Sequence, residues 1–220
     1  MLKRIIFSVV FLISFYAFSQ EKPYYDDVQK FVNYDKVNPP QKGMVLFIGS
    51  STFTYWGNDA AIDFKNNKIV NRAFGGSTLE DLIYYQNEII FGYQPSKIVI
   101  YCGENDIAND YKNLSSSDVA NRFIELYTSI RKKFPKIPVV YMGIKPSPSR
   151  WDMRDKMIET NSLIQKYLDK KPNVHFVPIW NKLLDKSGKP DVSLYIEDEL
   201  HLNKKGYKIL THNLEKFVND

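Results

Sequence analysis

Two segments near opposite ends of the chain carry side chains that could perform acyl transfer. Ser51 follows the apolar run 44–48 and the turn residue Gly49, which predicts a hydroxyl at the end of a strand and the start of a helix. Asp198 and His201 are three residues apart, so the carboxylate can hold the imidazole in the tautomer whose Nε2 accepts a serine proton. This pattern predicts Ser51 as nucleophile, His201 as base and Asp198 as the group that orients the base. Taken alone, the Ser/Thr-rich turn would be interpreted as a helix cap.

Two further loops offer donors for the negative charge that develops on a carbonyl oxygen. Gly76 precedes a capping box from Ser77 to Glu80, which predicts a helix start with the Gly76 N–H open to an anion. Asn105 follows a third apolar run, and its side-chain amide can be directed to the same anion as the Gly76 N–H. Either residue alone is equally typical of a turn or a cap. Together with the serine, the carboxylate and the imidazole, they complete the groups that acyl transfer needs.

The remaining candidate nucleophiles and ligands favour structural roles. Cys102 is the single cysteine and lies in the apolar run 98–102, which is typical of a buried thiol. The three histidines are far apart and lack the spacing of a zinc site. His175 is expected in the core, within the fifth strand, and His212 on the last helix at the surface or in packing. We therefore expect no metal and no other cofactor.

Apolar runs alternate with amphipathic segments from residue 44 onward, and this order would position the four loops. The runs are typical of strands in a buried parallel sheet: 44–48, 68–70, 97–102, 137–142 and 174–178. Helical periodicity covers 119–134 after a Ser117 cap, 157–168, and 207–217 after an Asn203 cap. The alternation predicts an α/β fold, a three-layer α/β/α sandwich with a five-stranded parallel sheet. Function is then expected in the loops that leave the carboxyl ends of the strands.

Residues 1–19 differ from the rest of the chain. Lys3 and Arg4 form a basic start, 5–18 is apolar, and Ala17 and Ser19 are small residues at the positions that a signal peptidase inspects. This pattern predicts a secretory signal peptide; an uncleaved N-terminal anchor is the alternative. Cleavage would leave a single domain over 20–220, exported to the periplasm or the extracellular space, without a stable membrane anchor.

Charge and composition exclude several other classes. The 220 residues carry a formal net charge of +5, with no basic run longer than 131–133, which gives no case for nucleic acid binding. A lone cysteine cannot form an internal disulfide, so the fold must depend on its hydrophobic core. Nothing in the sequence specifies an oligomeric state.

The four motifs together resemble those of the SGNH, or GDSL-type, hydrolase family. Its Ser, Gly, Asn and His correspond to residues in IGSSTF, NRAFGGST, GEND and DELHLN, and the resemblance spans 44–207. It implies a flavodoxin-like α/β/α fold and an esterase, lipase or deacetylase activity. It also implies an oxyanion hole made by the N–H groups of Ser51 and Gly76 and the amide of Asn105. Ser50 stands where the GDSL motif has its acid.

Two features are similar to the platelet-activating-factor acetylhydrolase-like branch of that family: GSS followed by Trp56, and PSPSRW after the fourth strand. Together with Glu104 in the loop after the third strand, they suggest Trp56, Arg150 and Trp151 as substrate-pocket residues. Polar groups interleaved with aromatic rings suit a small-molecule or glycan ester with a short, acetyl-type acyl group.

Three alternatives remain open at this point. A lysophospholipase or lipase, and an enzyme that transfers an acyl group to a sugar, would use the same residues. A non-enzymatic alternative is a flavodoxin-like module that binds a phosphate or a flavin at the first loop. Such loops normally contain more glycine than this one, and the module would leave Asp198 and His201 without a purpose.

Overall fold

The computed structural model describes residues 22–65, 68–109 and 112–219. The predicted signal peptide over 1–19 lies outside the described residues. One five-stranded, all-parallel sheet has the order β2-β1-β3-β4-β5. Its strands are Val45–Gly49 (β1), Ile69–Asn71 (β2), Lys97–Tyr101 (β3), Val139–Met142 (β4) and Val174–Val177 (β5). The predicted α/β sandwich is therefore confirmed.

Helices cover both faces of the sheet. They are Tyr25–Val37 (α1), Ser51–Trp56 (α2), Asp59–Asp63 (α3), Leu79–Tyr84 (α4), Glu104–Ala108 (α5), Ser116–Lys133 (α6), Arg154–Leu168 (α7) and Lys204–Val218 (α8). A π-helical turn covers Asn87–Phe91, and 3₁₀ turns cover Pro148–Met153, Trp180–Lys182 and Val192–Leu194. No helix within the described residues is long and apolar enough to cross a membrane.

Alternation along the strands divides the core into two clusters. Leu46 and Ile48 of β1 pack with buried residues of α1, α4, α6 and α7. Phe47, on the opposite face of β1, packs with α2, α3 and α8. Successive side chains of a strand point to opposite faces, so a strand covered on both faces is apolar throughout. Cys102 is fully buried in the first cluster, as predicted.

The strand order places a crevice between β1 and β3. The chain runs from β1 to β2 on one side and then returns to β3 on the other. Gly49 at the end of β1 is in register with Tyr101 at the end of β3. In open α/β sheets, ligands bind outside the carboxyl ends of the strands where the order reverses in this way. The loops that carry Ser51 and Asn105 leave the sheet on either side of this crevice.

Of the two helix caps predicted for α8 and α6, one is confirmed and one is wrong. Asn203 caps α8, since its side chain accepts hydrogen bonds from the N–H groups of Lys205 and Gly206. The Ser117 cap is wrong: α6 is capped by Ser115, in a capping box with Asp118. A capping box needs its two members three residues apart, which only the earlier serine satisfies.

The prediction that His175 belongs to the core is also wrong. β5 is the edge strand of the sheet, and the His175 side chain is exposed there, with its ring 4.9 Å from that of Phe217. His212 is exposed on α8, as expected, and its Nδ1 lies 3.5 Å from Glu215 Oε1. A single apolar run cannot reveal whether its strand is central or at an edge.

Candidate active site

Ser51 is the first residue of α2, directly beyond the end of β1. The turn depends on Gly49, whose φ is +147° and whose missing Cβ would lie 1.9 Å from the Tyr101 carbonyl oxygen. A side chain at Gly49 would therefore both strain the backbone and separate β1 from β3. As the first residue of a helix, Ser51 has an N–H without an intrahelical acceptor.

Ser51, His201 and Asp198 form a continuous hydrogen-bonded chain. His201 Nε2 lies 2.9 Å from Ser51 Oγ, and His201 Nδ1 lies 2.5 Å from Asp198 Oδ2. The second carboxylate oxygen accepts the backbone N–H groups of Leu200 and His201, both at 2.9 Å. The loop before α8 thus fixes the carboxylate, which fixes the imidazole, so that Nε2 can accept a proton from the serine.

Electrostatics keep the Asp198 carboxyl ionised. Burial acts to raise the pKa of Asp198, but hydrogen bonds from the His201 ring and from the N–H groups of His201 and Leu200 outweigh it and lower the pKa to about 2. A charged carboxylate opposite Nδ1 stabilises the imidazolium that proton transfer creates. The Tyr55 ring packs against the imidazole in a T-shaped arrangement, with ring centroids 4.3 Å apart, a contact that was not predicted from the sequence.

Gly76 lies in a loop that is fastened to the end of β1. Its φ is +80°, and its carbonyl accepts the Tyr24 hydroxyl at 2.9 Å. An added Cβ would lie 3.1 Å from that hydroxyl oxygen, so glycine suits both the conformation and the space. The adjacent Ser77 hydroxyl donates to the Gly49 carbonyl at 3.1 Å.

The capping box after Gly76 begins one residue later than predicted. Thr78 is the N-cap of α4, and its partner three residues on is Asp81, so the assignment to Ser77 and Glu80 is wrong. The Ser77 hydroxyl is already bonded to β1, which leaves Thr78 as the residue able to cap the helix.

Asn105 lies in the first turn of α5, after β3. Its Nδ2 donates to the Ser77 carbonyl at 3.0 Å, which brings the amide beside the loop that carries Gly76. Asp106, which the sequence analysis did not assign, strengthens this connection. Its buried carboxylate accepts the Leu79 N–H at 2.9 Å, at the start of α4. The loops after β1, β2 and β3 are thus bonded to one another around Ser51.

Glu104 was predicted to line the substrate pocket, and the structure buries it instead. The Tyr101 hydroxyl donates to Oε2 at 2.5 Å, and Lys145 Nζ and Arg150 Nη1 each lie 3.3 Å from Oε1. Burial raises the pKa of Glu104, but the charges of Lys145 and Arg150, with the Tyr101 hydroxyl, outweigh it and keep the pKa below its usual value. The carboxylate is therefore the ionised centre of a buried cluster.

The two tryptophans suggested as pocket residues lie elsewhere. Trp56 is 2% exposed among the aromatic rings of the second core cluster, and its indole N–H donates to Asp63 at 2.8 Å. It occupies the face of α2 that packs on the sheet, so the prediction is wrong. Trp151 stacks on Trp180, with ring centroids 6.2 Å apart, and does not line the cavity beside Gly76 and Asn105.

A cavity of about 530 Å³ opens beside the candidate oxyanion groups. Gly76, Asn105 and Arg150, which was predicted as a substrate-pocket residue, all line it. Its other walls are mostly polar or charged and come from the start of α1, from α4 and from the segment after α5: Lys22, Pro23, Tyr24, Thr78, Glu80, Asp81, Tyr84, Ala108, Asn109 and Lys112.

Comparisons with known proteins identify the family and the fold. The model of the GDSL-like Lipase/Acylhydrolase family matches residues 48–209. No curated protein sequence matches the chain. The structure of a GDSL-like lipase from Bacteroides thetaiotaomicron has a TM-score of 0.73 at 19% identity, over 87% of this chain and 97% of that one.

Two carbohydrate-directed esterases are also similar in structure. A variant of an acetyl-xylooligosaccharide esterase from Geobacillus has a TM-score of 0.67 at 15% identity, over 82% of this chain and 96% of that one. A family 3 carbohydrate esterase from Talaromyces cellulolyticus has a TM-score of 0.60 at 14% identity, over 80% and 96%. At these identities the likeness concerns the fold alone.

The match to the family model settles the classification. It covers most of the chain and includes Ser51, Gly76, Asn105, Asp198 and His201. The resemblance to SGNH hydrolases drawn from the four motifs is confirmed. The chain belongs to the GDSL-like lipase/acylhydrolase family and is a carboxylic ester hydrolase.

Proposed function

We propose that the protein hydrolyses short-chain, acetyl-type esters of glycans through an acyl-enzyme on Ser51. The observation that carries the mechanism is the chain of contacts from Ser51 Oγ to His201 Nε2 and from His201 Nδ1 to Asp198. A serine whose proton can pass to an oriented imidazole is an activated nucleophile.

The reaction follows from this arrangement in two steps. Ser51 Oγ attacks the ester carbonyl while His201 Nε2 takes its proton, and the tetrahedral oxyanion is stabilised by the N–H groups of Ser51 and Gly76 and by Asn105 Nδ2. Collapse expels the alcohol, which receives the proton from His201. A water molecule then attacks the acyl-serine with His201 again as base, which releases the carboxylic acid and restores Ser51.

The preference for glycan esters is supported by the cavity beside Gly76 and Asn105. Charged and amide side chains can bond sugar hydroxyls, while the rings of Tyr24 and Tyr84 can pack against the apolar face of a sugar. A long acyl chain would gain from burial only in an apolar channel, since each buried CH₂ contributes about 0.8 kcal/mol. Two structural neighbours described as carbohydrate-directed esterases are consistent with this substrate class.

The natural site of action proposed for this enzyme is outside the cytoplasm. Residues 1–19 have the basic start, the apolar run and the small residues of a signal peptide. Expression of the full chain in a bacterial host should give a processed protein in the periplasm or medium, with an N-terminus near residue 20. A full-length protein retained in the membrane fraction would favour an uncleaved anchor.

Acetate release from acetylated oligosaccharides is the direct test of the substrate. The enzyme is expected to release acetate from acetylated xylooligosaccharides, and Ser51→Ala is expected to release none above background. Transfer of acetyl groups to added sugar in preference to water would identify an acyltransferase. Activity confined to lysophospholipid would identify a lipase.

A further inference from the structure

Arg150 connects two side chains of the loop after β3. Its Nη2 donates to Asn105 Oδ1 at 3.1 Å, while its Nη1 lies 3.3 Å from Glu104 Oε1. On the other side of the amide, Asn105 Nδ2 donates to the Ser77 carbonyl at 3.0 Å. A guanidinium only donates and a carbonyl oxygen only accepts, so these two neighbours select one of the two amide orientations. The second hydrogen on Nδ2 is then left for a substrate oxyanion.

Loss of Arg150 would remove one of the two hydrogen-bond partners that select the orientation of the Asn105 amide. The terminal torsion of asparagine is broad and roughly twofold, so the amide could turn and present Oδ1 to the reacting carbonyl. An amide oxygen facing an oxyanion repels it, whereas an amide N–H stabilises it. A cationic donor on Oδ1 also strengthens Nδ2 as a donor, because linked hydrogen bonds polarise one another.

The guanidinium is itself held in place by buried partners. The Glu104 side chain is only 5% exposed and that of Lys145 is wholly buried, which leaves the carboxylate little freedom to move away from Arg150. Lys145 Nζ also donates to the Leu200 carbonyl at 2.7 Å, between Asp198 and His201 in the chain. One buried carboxylate thus connects Asn105 with the loop that carries the base.

We propose that Arg150 is a positioning residue of the oxyanion hole: its guanidinium, anchored on Glu104, holds the Asn105 amide with Nδ2 turned towards the reacting carbonyl. The proposal rests on the acyl-enzyme function proposed above. It gives Arg150 a role that requires no contact with the sugar or the acyl chain. The role should therefore be visible with any ester, including the smallest.

A double-mutant cycle on p-nitrophenyl acetate tests this coupling. Arg150→Met is expected to lower kcat by roughly 10- to 100-fold with KM nearly unchanged, because the oxyanion that the Asn105 amide would stabilise exists only in the transition state. In an Asn105→Ala background the same substitution should change kcat by less than about twofold, since its target is gone. Equal losses in both backgrounds, or a rise in KM alone, would overturn the proposal.

Two further variants separate positioning from folding. Arg150→Lys keeps a charge opposite Glu104 but cannot bond both side chains through a planar fork, so it should fold and still lose roughly tenfold in kcat. Full activity in Arg150→Lys would overturn the proposal even if Arg150→Met fails to fold. Arg154→Met is the matched control: this arginine packs on the Trp151 ring and donates to the Trp151 carbonyl, and kcat should be unchanged.

Ser51→Ala, measured in parallel, separates a failure of the proposed acyl-enzyme from a failure of the role assigned to Arg150. If that variant remained active, the proposed acyl-enzyme would fail, and the role of Arg150 with it. If it were inactive while Arg150→Met cost the same with and without Asn105, only the assignment of Arg150 would fail.

Discussion

His201 Nε2 lies 2.9 Å from Ser51 Oγ although 150 positions separate the two residues in the chain. The contact depends on how α8 packs against α2. The Tyr207 hydroxyl on α8 donates to the Thr52 carbonyl on α2 at 2.8 Å, one residue beyond Ser51. The tyrosine ring also lies 5.2 Å from that of Trp56. The base and the nucleophile are therefore held together by helix packing as well as by their own hydrogen bond.

Ser51→Ala should lower ester hydrolysis by roughly 10⁴-fold or more, because only binding and the oxyanion groups would remain. The measurements are p-nitrophenyl acetate turnover and labelling by a fluorophosphonate. Ser50→Ala is the matched control, since that side chain is buried and should leave both signals in place. Labelling of Ser51→Ala at the wild-type rate would exclude Ser51 as nucleophile.

The rate should fall as the solution is acidified. His201 must be neutral to take the serine proton, so protonation of the imidazole removes the base. The pKa of Asp198 is held at about 2, so its carboxylate stays charged until the solution is very acidic, and a fall in rate at higher pH cannot come from that carboxyl group. The measurement is kcat/KM against pH. His201→Ala should cost more than Asp198→Ala, and a flat profile would contradict this assignment.

Asn105→Ala should lower kcat by roughly 10²–10³ with little change in KM, since the amide donates to charge that exists only in the transition state. Steady-state kinetics on p-nitrophenyl acetate measure both constants. Asn121→Ala, at an exposed position on α6, is the control and should behave as wild type. An effect on KM alone would make Asn105 a substrate-binding residue.

Gly49→Ala should destabilise the fold by roughly 3 kcal/mol or more, because the new Cβ would overlap the Tyr101 carbonyl across the β1–β3 pair. Gly188→Ala is the matched control: φ there is +79° with open space around the position, so about 1 kcal/mol of backbone strain is expected. Thermal and urea unfolding measure both variants. Equal losses would show that strain, rather than the overlap, makes glycine necessary at Gly49.

A series of p-nitrophenyl esters from two to sixteen carbons should show kcat/KM highest at acetyl and falling as the acyl chain lengthens. Charged and amide side chains interrupt the apolar surface of the cavity beside Gly76 and Asn105, so added methylenes should gain less there than in a wholly apolar channel. A kcat/KM that rises through eight carbons would reject the glycan-ester preference and favour a lipase.

The sequence by itself determined the sheet and the residues of the candidate site. Ser51 and Asn105 each follow an apolar run, and a strand covered on both faces is visible in sequence as such a run. The spacing of Asp198 and His201 is local, so their hydrogen bond could be predicted without the rest of the fold. Parallel strands place their following loops at one edge of the sheet, which is why these residues could be expected to converge.

Only the tertiary structure decided which side chains line the cavity beside Gly76 and Asn105 and which are buried. Trp56 packs into the core because α8 and the sheet cover its face of α2, and Glu104 is buried because Lys145, 41 positions away, supplies a compensating charge. His175 is exposed because, among the described residues, no strand pairs on the outer side of β5. Periodicity reveals that an element has an apolar face, but burial depends on partners far away in the chain.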